Sequence, residues 1–314
     1  MAVNAFIFPG QGSQSVGMGR DLAAAFAPAR HVFQEIDEVL KQKLSTLMFE
    51  GPSEDLTLTE NAQPALMAVS LAVIRVLQAE AGLVLKEKIV LAAGHSLGEY
   101  SALAAVDAFS VADAARLLKL RGQAMQKAVP PGVGAMAALL GVDMVLAQEI
   151  CSAVEDAGSV GVANDNGGGQ VVISGHKAAV EQAIEIAKGK GVKRAMLLPV
   201  SAPFHCVLME PAAEAMAQAL KATPPQVPSL PIIANVTAAK VTDPAQIREL
   251  LVQQVTGTVR WRESVEAMVK LGVTNFYEIG SGKVLSGLVK RIAPEAEACT
   301  VGTPAEIEAL AKVL

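Results

Sequence analysis

The chain is poor in cysteine, in aromatic residues and in charge. Its three cysteines, Cys151, Cys206 and Cys299, form no CxxC pair, which excludes a zinc knuckle or disulfide framework and favours a reducing compartment. Aromatic residues make up only 4% of the 314 residues, too few for a surface that stacks single-stranded nucleic acid. The net charge of −5 also argues against nucleic acid as a partner.

Targeting and membrane-spanning segments are also missing from the sequence pattern. The N-terminus has no basic start followed by a long apolar run, so no signal peptide is predicted. The longest stretches without charge, 128–142, 195–209 and 222–239, contain prolines and polar residues, and none provides the roughly 20 apolar residues of a membrane helix. We expect a cytoplasmic protein without a membrane partner. Its 52% hydrophobic and 18% charged residues indicate a folded core.

Both ends of the chain alternate apolar runs with turns and helical patterns. Residues 3–8 and 88–93 are short apolar runs, each followed by a glycine-containing turn. Residues 61–80 are almost entirely apolar and predict a central helix. Strand-turn-helix units of this kind predict an α/β fold with a parallel sheet covered on both faces.

The middle of the chain has a different order. Two helices are predicted at 143–156 and 177–188, among four short strands at 135–140, 160–163, 170–174 and 193–198. This β-α-β-β-α-β order is that of a ferredoxin-like unit, and prolines bracket it. We therefore expect residues 131–198 to form a small inserted domain within a larger domain made of 1–130 and 199–314.

The strongest chemical signal is Gly94-His-Ser-Leu-Gly98, a G-x-S-x-G sequence between an apolar strand and a helix. The glycines allow a sharp turn that exposes Ser96 above the sheet, and the following helix start supplies N–H groups to an oxyanion. This context predicts a nucleophilic serine. An ordinary Gly-Ser turn is the alternative.

A serine nucleophile needs a base, and His205 is the best candidate. It follows a predicted strand end and turn, where catalytic groups lie in α/β folds. The other histidines fit helix, elbow-support or helix-cap positions: His31, His95 and His176. No acid at a strand end is evident to orient the imidazole. Either such an acid is not recognisable in the sequence, or an amide or a backbone carbonyl takes that role.

Arg121 lies in the apolar stripe of the helix predicted from about Val111 to Ala128. An inward-facing guanidinium cannot lose its charge, so it needs an anion. Two alternatives stay open, a structural ion pair and a fork that holds a substrate carboxylate through two hydrogen bonds.

These motifs together resemble a known family. FPGQGSQ, GHSLGEYSAL, LLKLRGQAMQ, PVSAPFHCVLM, Gln254 before Val259-Arg-Trp261, and EIGSGKVLSGLVKR occur in family order, and the sequence is similar to malonyl-CoA:acyl carrier protein transacylases of fatty-acid synthesis. The resemblance spans essentially the whole chain. Ser281 departs from it, where proline is expected. The implied fold is an α/β-hydrolase-like domain with a ferredoxin-like insert.

The resemblance also implies a reaction and the residues that perform it. Malonyl-CoA would acylate the serine, and the phosphopantetheine thiol of acyl carrier protein would then take the malonyl group in a ping-pong reaction without metal or cofactor. Ser96 would be the nucleophile and His205 its base. The main-chain N–H groups of Gln11 and Leu97 would bind the oxyanion, and the main-chain carbonyl of Gln254 would orient His205. Arg121 would bind the malonyl carboxylate, and Phe204 would exclude branched acyl groups.

The carrier protein is expected to be acidic, so a local basic patch is needed on this acidic chain. Two basic pairs are candidates, Lys193-Arg194 and Lys290-Arg291. We expect a monomer. Two other classes stay open at this point: a serine hydrolase, in which water takes the acyl group, and a non-catalytic module that binds carrier protein.

Overall fold

A six-stranded sheet forms the centre of the larger part of the molecule. The computed structural model describes residues 2–200 and 202–314, so Ser201, in the predicted turn before His205, lies outside the described residues. The strand order is β10-β9-β1-β2-β7-β8, with bounds β1 Asn4–Phe8, β2 Leu91–Gly94, β7 Ile232–Ala234, β8 Ala239–Val241, β9 Asn275–Ile279 and β10 Glu297–Val301.

The strands of this sheet are parallel except for β8, which pairs antiparallel with β7. The predicted α/β class is confirmed, with the correction that one edge strand is antiparallel. Phe8 is opposite Gly94 in the register of β1 and β2. The carboxyl ends of these two neighbouring strands therefore meet at one edge, where α/β proteins place their sites.

A second sheet is antiparallel throughout and has the order β4-β5-β3-β6. Its strands are β3 Gly134–Leu140, β4 Val160–Asp165, β5 Gln170–His176 and β6 Arg194–Leu197. Helix α9 (Met144–Ser152) follows β3 and helix α10 (Lys177–Gly189) follows β5. The chain thus runs strand-helix-strand-strand-helix-strand here, in the predicted order.

The remaining helices surround the larger sheet, and a 3₁₀ turn covers Val207–Met209. They are α1 Arg20–Ala25, α2 Ala27–Leu40, α3 Leu44–Glu50, α4 Ser53–Thr57, α5 Thr59–Ala81, α6 Leu85–Lys88, α7 Leu97–Ala105, α8 Val111–Ala128, α11 Glu210–Ala222, α12 Pro244–Thr256, α13 Trp261–Lys270, α14 Val284–Ile292 and α15 Pro304–Ala311.

Helix α5 is the central helix that the apolar run predicts. Among the described residues it is also the one helix long and apolar enough to cross a membrane, and 83% of its most apolar window is buried inside the protein. It packs against α8, α2 and α7. A helix that is apolar on all sides is typical of the core of a large domain.

The prediction of a strand over 88–93 is wrong at its start. Residues 85–88 form the short helix α6, and β2 begins only at Leu91. The charged side chains of Lys86, Glu87 and Lys88 reach solvent from a helical turn, whereas a central parallel strand would bury them.

The two sheets are joined close to the carboxyl edge of the larger one. The Asp165 amide, at the end of β4, donates to the Val259 carbonyl at 2.9 Å, and the Val259 amide donates to the Ala163 carbonyl at 2.8 Å. Val259 follows α12. This bridge fixes the antiparallel sheet against the segment after α12.

Candidate active site

Ser96 occupies a strained turn between β2 and α7. Its φ is 54° and its ψ −111°, a conformation that non-glycine residues rarely adopt. The flanking glycines are needed for close packing: a Cβ at Gly94 would lie 1.9 Å from the Gly98 carbonyl oxygen, and one at Gly98 would lie 2.2 Å from the Phe8 carbonyl oxygen. The predicted elbow is therefore present, with the serine at the carboxyl end of β2.

The structure brings His205 to Ser96. The Ser96 Oγ lies 2.8 Å from His205 Nε2, and His205 Nδ1 lies 2.8 Å from the Gln254 carbonyl oxygen and 3.2 Å from the Gly257 carbonyl oxygen. Carbonyls can only accept, so Nδ1 carries the proton and Nε2 is left as the acceptor for the serine hydroxyl. Of the alternatives left open for the third group, the backbone carbonyl is the one observed.

Arg121 is 1% exposed and faces the same hydroxyl. Its Nη2 donates to Ser96 Oγ at 3.2 Å and to Gln254 Oε1 at 2.8 Å, while its Nη1 donates to Gln63 Oε1 at 2.8 Å. Within the described residues no carboxylate lies in ion-pair distance of the guanidinium, and its Nε has no partner. The groups that hydrogen-bond to this cation are neutral, so the structural ion pair is not observed among the described residues.

Two buried residues of the site, Asn235 and Glu99, are not predicted from the sequence, and neither is the role of the Gln254 side chain. The Gln254 side chain donates to the Ser96 carbonyl at 3.0 Å and to Glu99 Oε2 at 2.7 Å. Asn235 accepts from the Ser96 amide at 2.7 Å and donates to the Gly94 carbonyl at 2.7 Å. Together they hold both main-chain polar groups of the strained serine. Glu99 had a detectable signal, because it is a carboxylate in a helix that is otherwise apolar.

Gln11, Leu97 and Phe204 line the same cavity of about 440 Å³ as Ser96 and His205. Neither main-chain N–H of Gln11 or Leu97 donates a hydrogen bond to any described residue. Leu97 begins α7, where the first N–H groups have no partner within the helix and the positive end of its dipole points outward. Both amides therefore lack a hydrogen-bond partner among the described residues, at a cavity that also contains Ser96. Phe204 is 9% exposed.

Comparison with known proteins agrees with this geometry. The acyl transferase domain family matches residues 5–302. The malonyl CoA-acyl carrier protein transacylase of Bacillus subtilis is 47% identical over 309 residues, covering 98% of this chain and 96% of that protein. The chain belongs to the malonyl-CoA:acyl carrier protein transacylase family.

Solved structures extend the comparison to the fold. A crystal structure of an acyl-carrier-protein-S-malonyltransferase from Bartonella henselae superposes with a TM-score of 0.97 at 57% identity, with 99% of each chain covered. One chain of the structure of a type II PKS acyl-carrier protein in complex with its malonyl-transacylase matches this chain with a TM-score of 0.96 at 42% identity, with 100% of each chain covered. The mixed α/β architecture is thus that of the transacylase family.

The basic pairs are only partly at the cleft of this transacylase-family chain. Arg291 lines the cavity, and its Nη2 donates to Gln170 Oε1 at 3.4 Å. Lys193, Arg194 and Lys290 are exposed but do not line it. Of these four candidates, Arg291 alone lines the cavity.

The other histidines occupy the expected kinds of position. His176 is the residue before α10, and His31 is exposed on α2. His95 Nε2 lies 2.9 Å from Asn166 Oδ1, in the turn between β4 and β5, and its ring lies 5.7 Å from that of Trp261. It therefore supports the elbow from the side of the antiparallel sheet.

Burial, reinforced by the Arg121 cation, lowers the pKa of His205 to about 3. At neutral pH the imidazole is therefore an unprotonated base. In the unfolded chain the pKa is about 6.5, so the stability that neutral His205 contributes is present above that pH. It is lost progressively as the pH falls from about 6.5 towards 3, because the unfolded state then binds the extra proton.

The low pKa of His205 predicts how Ser96 reacts with an uncharged reagent. The rate at which a neutral fluorophosphonate modifies Ser96 should stay constant between about pH 8 and pH 5, because the base stays unprotonated. Intact mass on timed samples measures this rate, and His205→Ala should slow it at every pH. A decline with its midpoint near the ordinary histidine pKa of about 6.5 would contradict the assignment.

Proposed function

We propose that this protein transfers the malonyl group from malonyl-CoA to the phosphopantetheine thiol of acyl carrier protein, for fatty-acid biosynthesis. The observation that carries the proposal is that one oxygen, Ser96 Oγ, lies within hydrogen-bond distance of both a neutral base and a buried arginine, which forms no salt bridge with any described residue. A nucleophile and a carboxylate site at this separation suit an acyl group with a carboxylate at its far end. The family relationship supports the same reaction.

In the first half-reaction, Ser96 Oγ attacks the thioester carbonyl while His205 Nε2 takes its proton. Negative charge develops on the carbonyl oxygen, and the main-chain N–H groups of Gln11 and Leu97 stabilise it. The C–S bond then breaks, and CoA leaves as a thiol with the proton from His205. The second half-reaction repeats these steps with the carrier thiol, which His205 deprotonates.

Each role is filled by a residue of the chain itself, so we propose that the reaction uses no metal and no organic cofactor. Malonyl-CoA and acyl carrier protein are the proposed substrates. The likeness to a malonyl-transacylase in complex with an acyl-carrier protein supports a carrier as the second substrate. The expectations of a monomer in the cytoplasm, without nucleic acid or membrane partners, stay predictions.

We also infer the finer architecture that the resemblance implies. Residues 1–130 and 199–314 form an α/β-hydrolase-like domain and residues 131–198 a ferredoxin-like insert. The strand order and antiparallel pairing of β3 to β6 support this division. In this arrangement the insert forms one wall of the cleft over Ser96, through Asn164, Asn166 and Gln170.

Incubation with malonyl-CoA alone tests the function directly. Intact mass should show one malonyl adduct on the wild type and none on Ser96→Ala, and carrier protein should then remove the adduct and gain it. Free malonate as the main product in the presence of carrier would indicate a serine hydrolase instead. A wild type that never forms the adduct would indicate a non-catalytic carrier-binding module.

Substrate choice should depend on Arg121. Removing one partner of a buried charge pair costs about 2–5 kcal/mol, so Arg121→Ala should lower malonyl transfer by roughly 30-fold or more, at tenfold for each 1.4 kcal/mol. Acetyl transfer should fall little, since acetyl has no carboxylate. Arg121→Lys should restore malonyl transfer only in part, because an ammonium lacks the planar fork. Initial rates with both acyl-CoAs measure this.

Equal losses of malonyl and acetyl transfer in a folded Arg121→Ala protein would show that the arginine is structural.

Phe204, beside the base, is proposed to exclude acyl groups with a branch on the carbon next to the thioester. It completes the malonyl selectivity that the carboxylate site begins.

Arg291 is the proposed contact for an acidic carrier protein, because it is the basic candidate at the cleft. Arg291→Glu should raise the KM for carrier protein several-fold through charge repulsion and leave the rate of Ser96 acylation by malonyl-CoA unchanged. Lys290→Glu is the matched control, with the same charge change on the same helix but outside the cavity lining. The idea fails if both variants raise this KM equally, or if acylation falls together with transfer.

A further inference from the structure

A buried carboxylate lies behind the active site and has no part in the transfer steps described above. Glu99 is on the first turn of α7 and is 1% exposed. Its Oε2 accepts hydrogen bonds from the Gln254 side chain at 2.7 Å and from the Asn235 amide at 3.1 Å. The other end of the Gln254 side chain, Oε1, accepts from Arg121 at 2.8 Å. One amide group therefore connects this carboxylate to the cation that faces the substrate.

We propose that Glu99 is the counter-charge of Arg121 in the empty site and that it thereby sets the affinity for the substrate carboxylate. This inference rests on the proposed function, because it takes the malonyl carboxylate as the anion that Arg121 binds. In the empty site, ionised Glu99 offsets a guanidinium that cannot lose its charge. When malonyl binds, two carboxylates share one cation, and an ionised Glu99 then opposes binding.

The surroundings of Glu99 contain few other charges. Helix α8 brings Arg121 to it, and the helix that carries Glu99 adds Tyr100, whose pKa burial raises above its ordinary value. The segments that supply Asn235 and Gln254 offer neutral amides. Strands β1, β2 and β7 and helix α5 also pack against α7. The strands contain no ionisable side chain, and the charged residues of α5 are Glu60, which is half-buried, and Arg75 and Glu80, which are exposed. Arg121 is thus the cation that Glu99 faces.

Glu99 gains or loses its proton near neutral pH. Burial raises its pKa to about 7, against the opposing effects of its hydrogen bonds and of Arg121. A second carboxylate at Arg121 would raise this pKa further, so malonyl binding near neutral pH should be accompanied by proton uptake. Below pH 7 the protonated Glu99 does not repel the substrate, and above pH 7 the ionised form does.

The experiment compares KM for malonyl-CoA and acetyl-CoA across pH in wild type and Glu99→Gln. In wild type, KM for malonyl-CoA should rise by about 3- to 10-fold between about pH 6 and pH 8.5, tenfold corresponding to one pKa unit. Acetyl-CoA carries the same phosphates, so its KM should lack this extra rise. A glutamine oxygen can accept the same two hydrogen bonds, so Glu99→Gln should keep the malonyl KM low and free of this rise.

Two further measurements separate a charge effect from a structural one. Glu278→Gln is the matched control: Glu278 is also fully buried, but its oxygens accept from the main-chain amides of Leu285 and Ser286 at 3.0 and 2.7 Å. It should keep the wild-type pH response. Calorimetry of malonyl-CoA binding to Ser96→Ala near pH 7, in buffers of different ionisation enthalpy, should show proton uptake beyond that for acetyl-CoA, and the added Glu99→Gln change should abolish the excess.

The outcomes are distinct. The counter-charge role would be overturned if the KM for malonyl-CoA still rose with pH in Glu99→Gln, or if it did not rise in wild type. Equal proton uptake with malonyl-CoA and acetyl-CoA would do the same, even if Glu99→Gln failed to fold. Failure of wild type to transfer malonyl at all would instead contradict the proposed function.

Discussion

The buried guanidinium of Arg121 is the constraint on which the rest of the site depends. It cannot be neutralised by losing a proton, and at 1% exposure water does not solvate it. The guanidinium instead donates hydrogen bonds to the neutral side-chain oxygens of Gln63 and Gln254 and lies over the face of the Tyr100 ring, 5.7 Å from its centre. These neutral contacts hold the cation in place, and the Glu99 carboxylate faces it only through the Gln254 side chain, so the guanidinium can still bind a carboxylate directly.

Gln254 performs two separate tasks at the meeting point of this network. Its main-chain carbonyl orients His205, and its side chain joins Arg121 to Glu99 and the Ser96 carbonyl. The serine, the base and the cation are therefore positioned by one residue near the end of α12. A shift of that helix end would disturb all three. The neighbouring segment is hydrogen-bonded to the antiparallel sheet through Val259, and these bonds restrain such a shift.

How much of this could be predicted from the sequence depends on the kind of contact. The Ser96 elbow has a local pattern of glycines, and elimination among four histidines leads to His205. The carbonyl that orients His205 has no such signal, because every residue carries one, and only its family role pointed to Gln254. The bonds of Asn235 and Glu99 depend on tertiary packing between distant segments. Among the strands, short β8 at the sheet edge and half-exposed β10 lack apolar runs like those that predict β1 and β2.

The binding of the acyl group and the basicity of His205 both depend on the positive charge of Arg121. Arg121 helps to lower the pKa of His205 in the empty site, which weakens the base. A carboxylate bound to Arg121 would offset that cation and raise the pKa of His205, while burial, the larger cause, would still hold it below its ordinary value. An acyl group without a carboxylate would leave the base weak, while a malonyl group would strengthen it as it places its thioester near Ser96. A carboxylate at Arg121 would therefore favour both the binding of the acyl group and the basicity of His205.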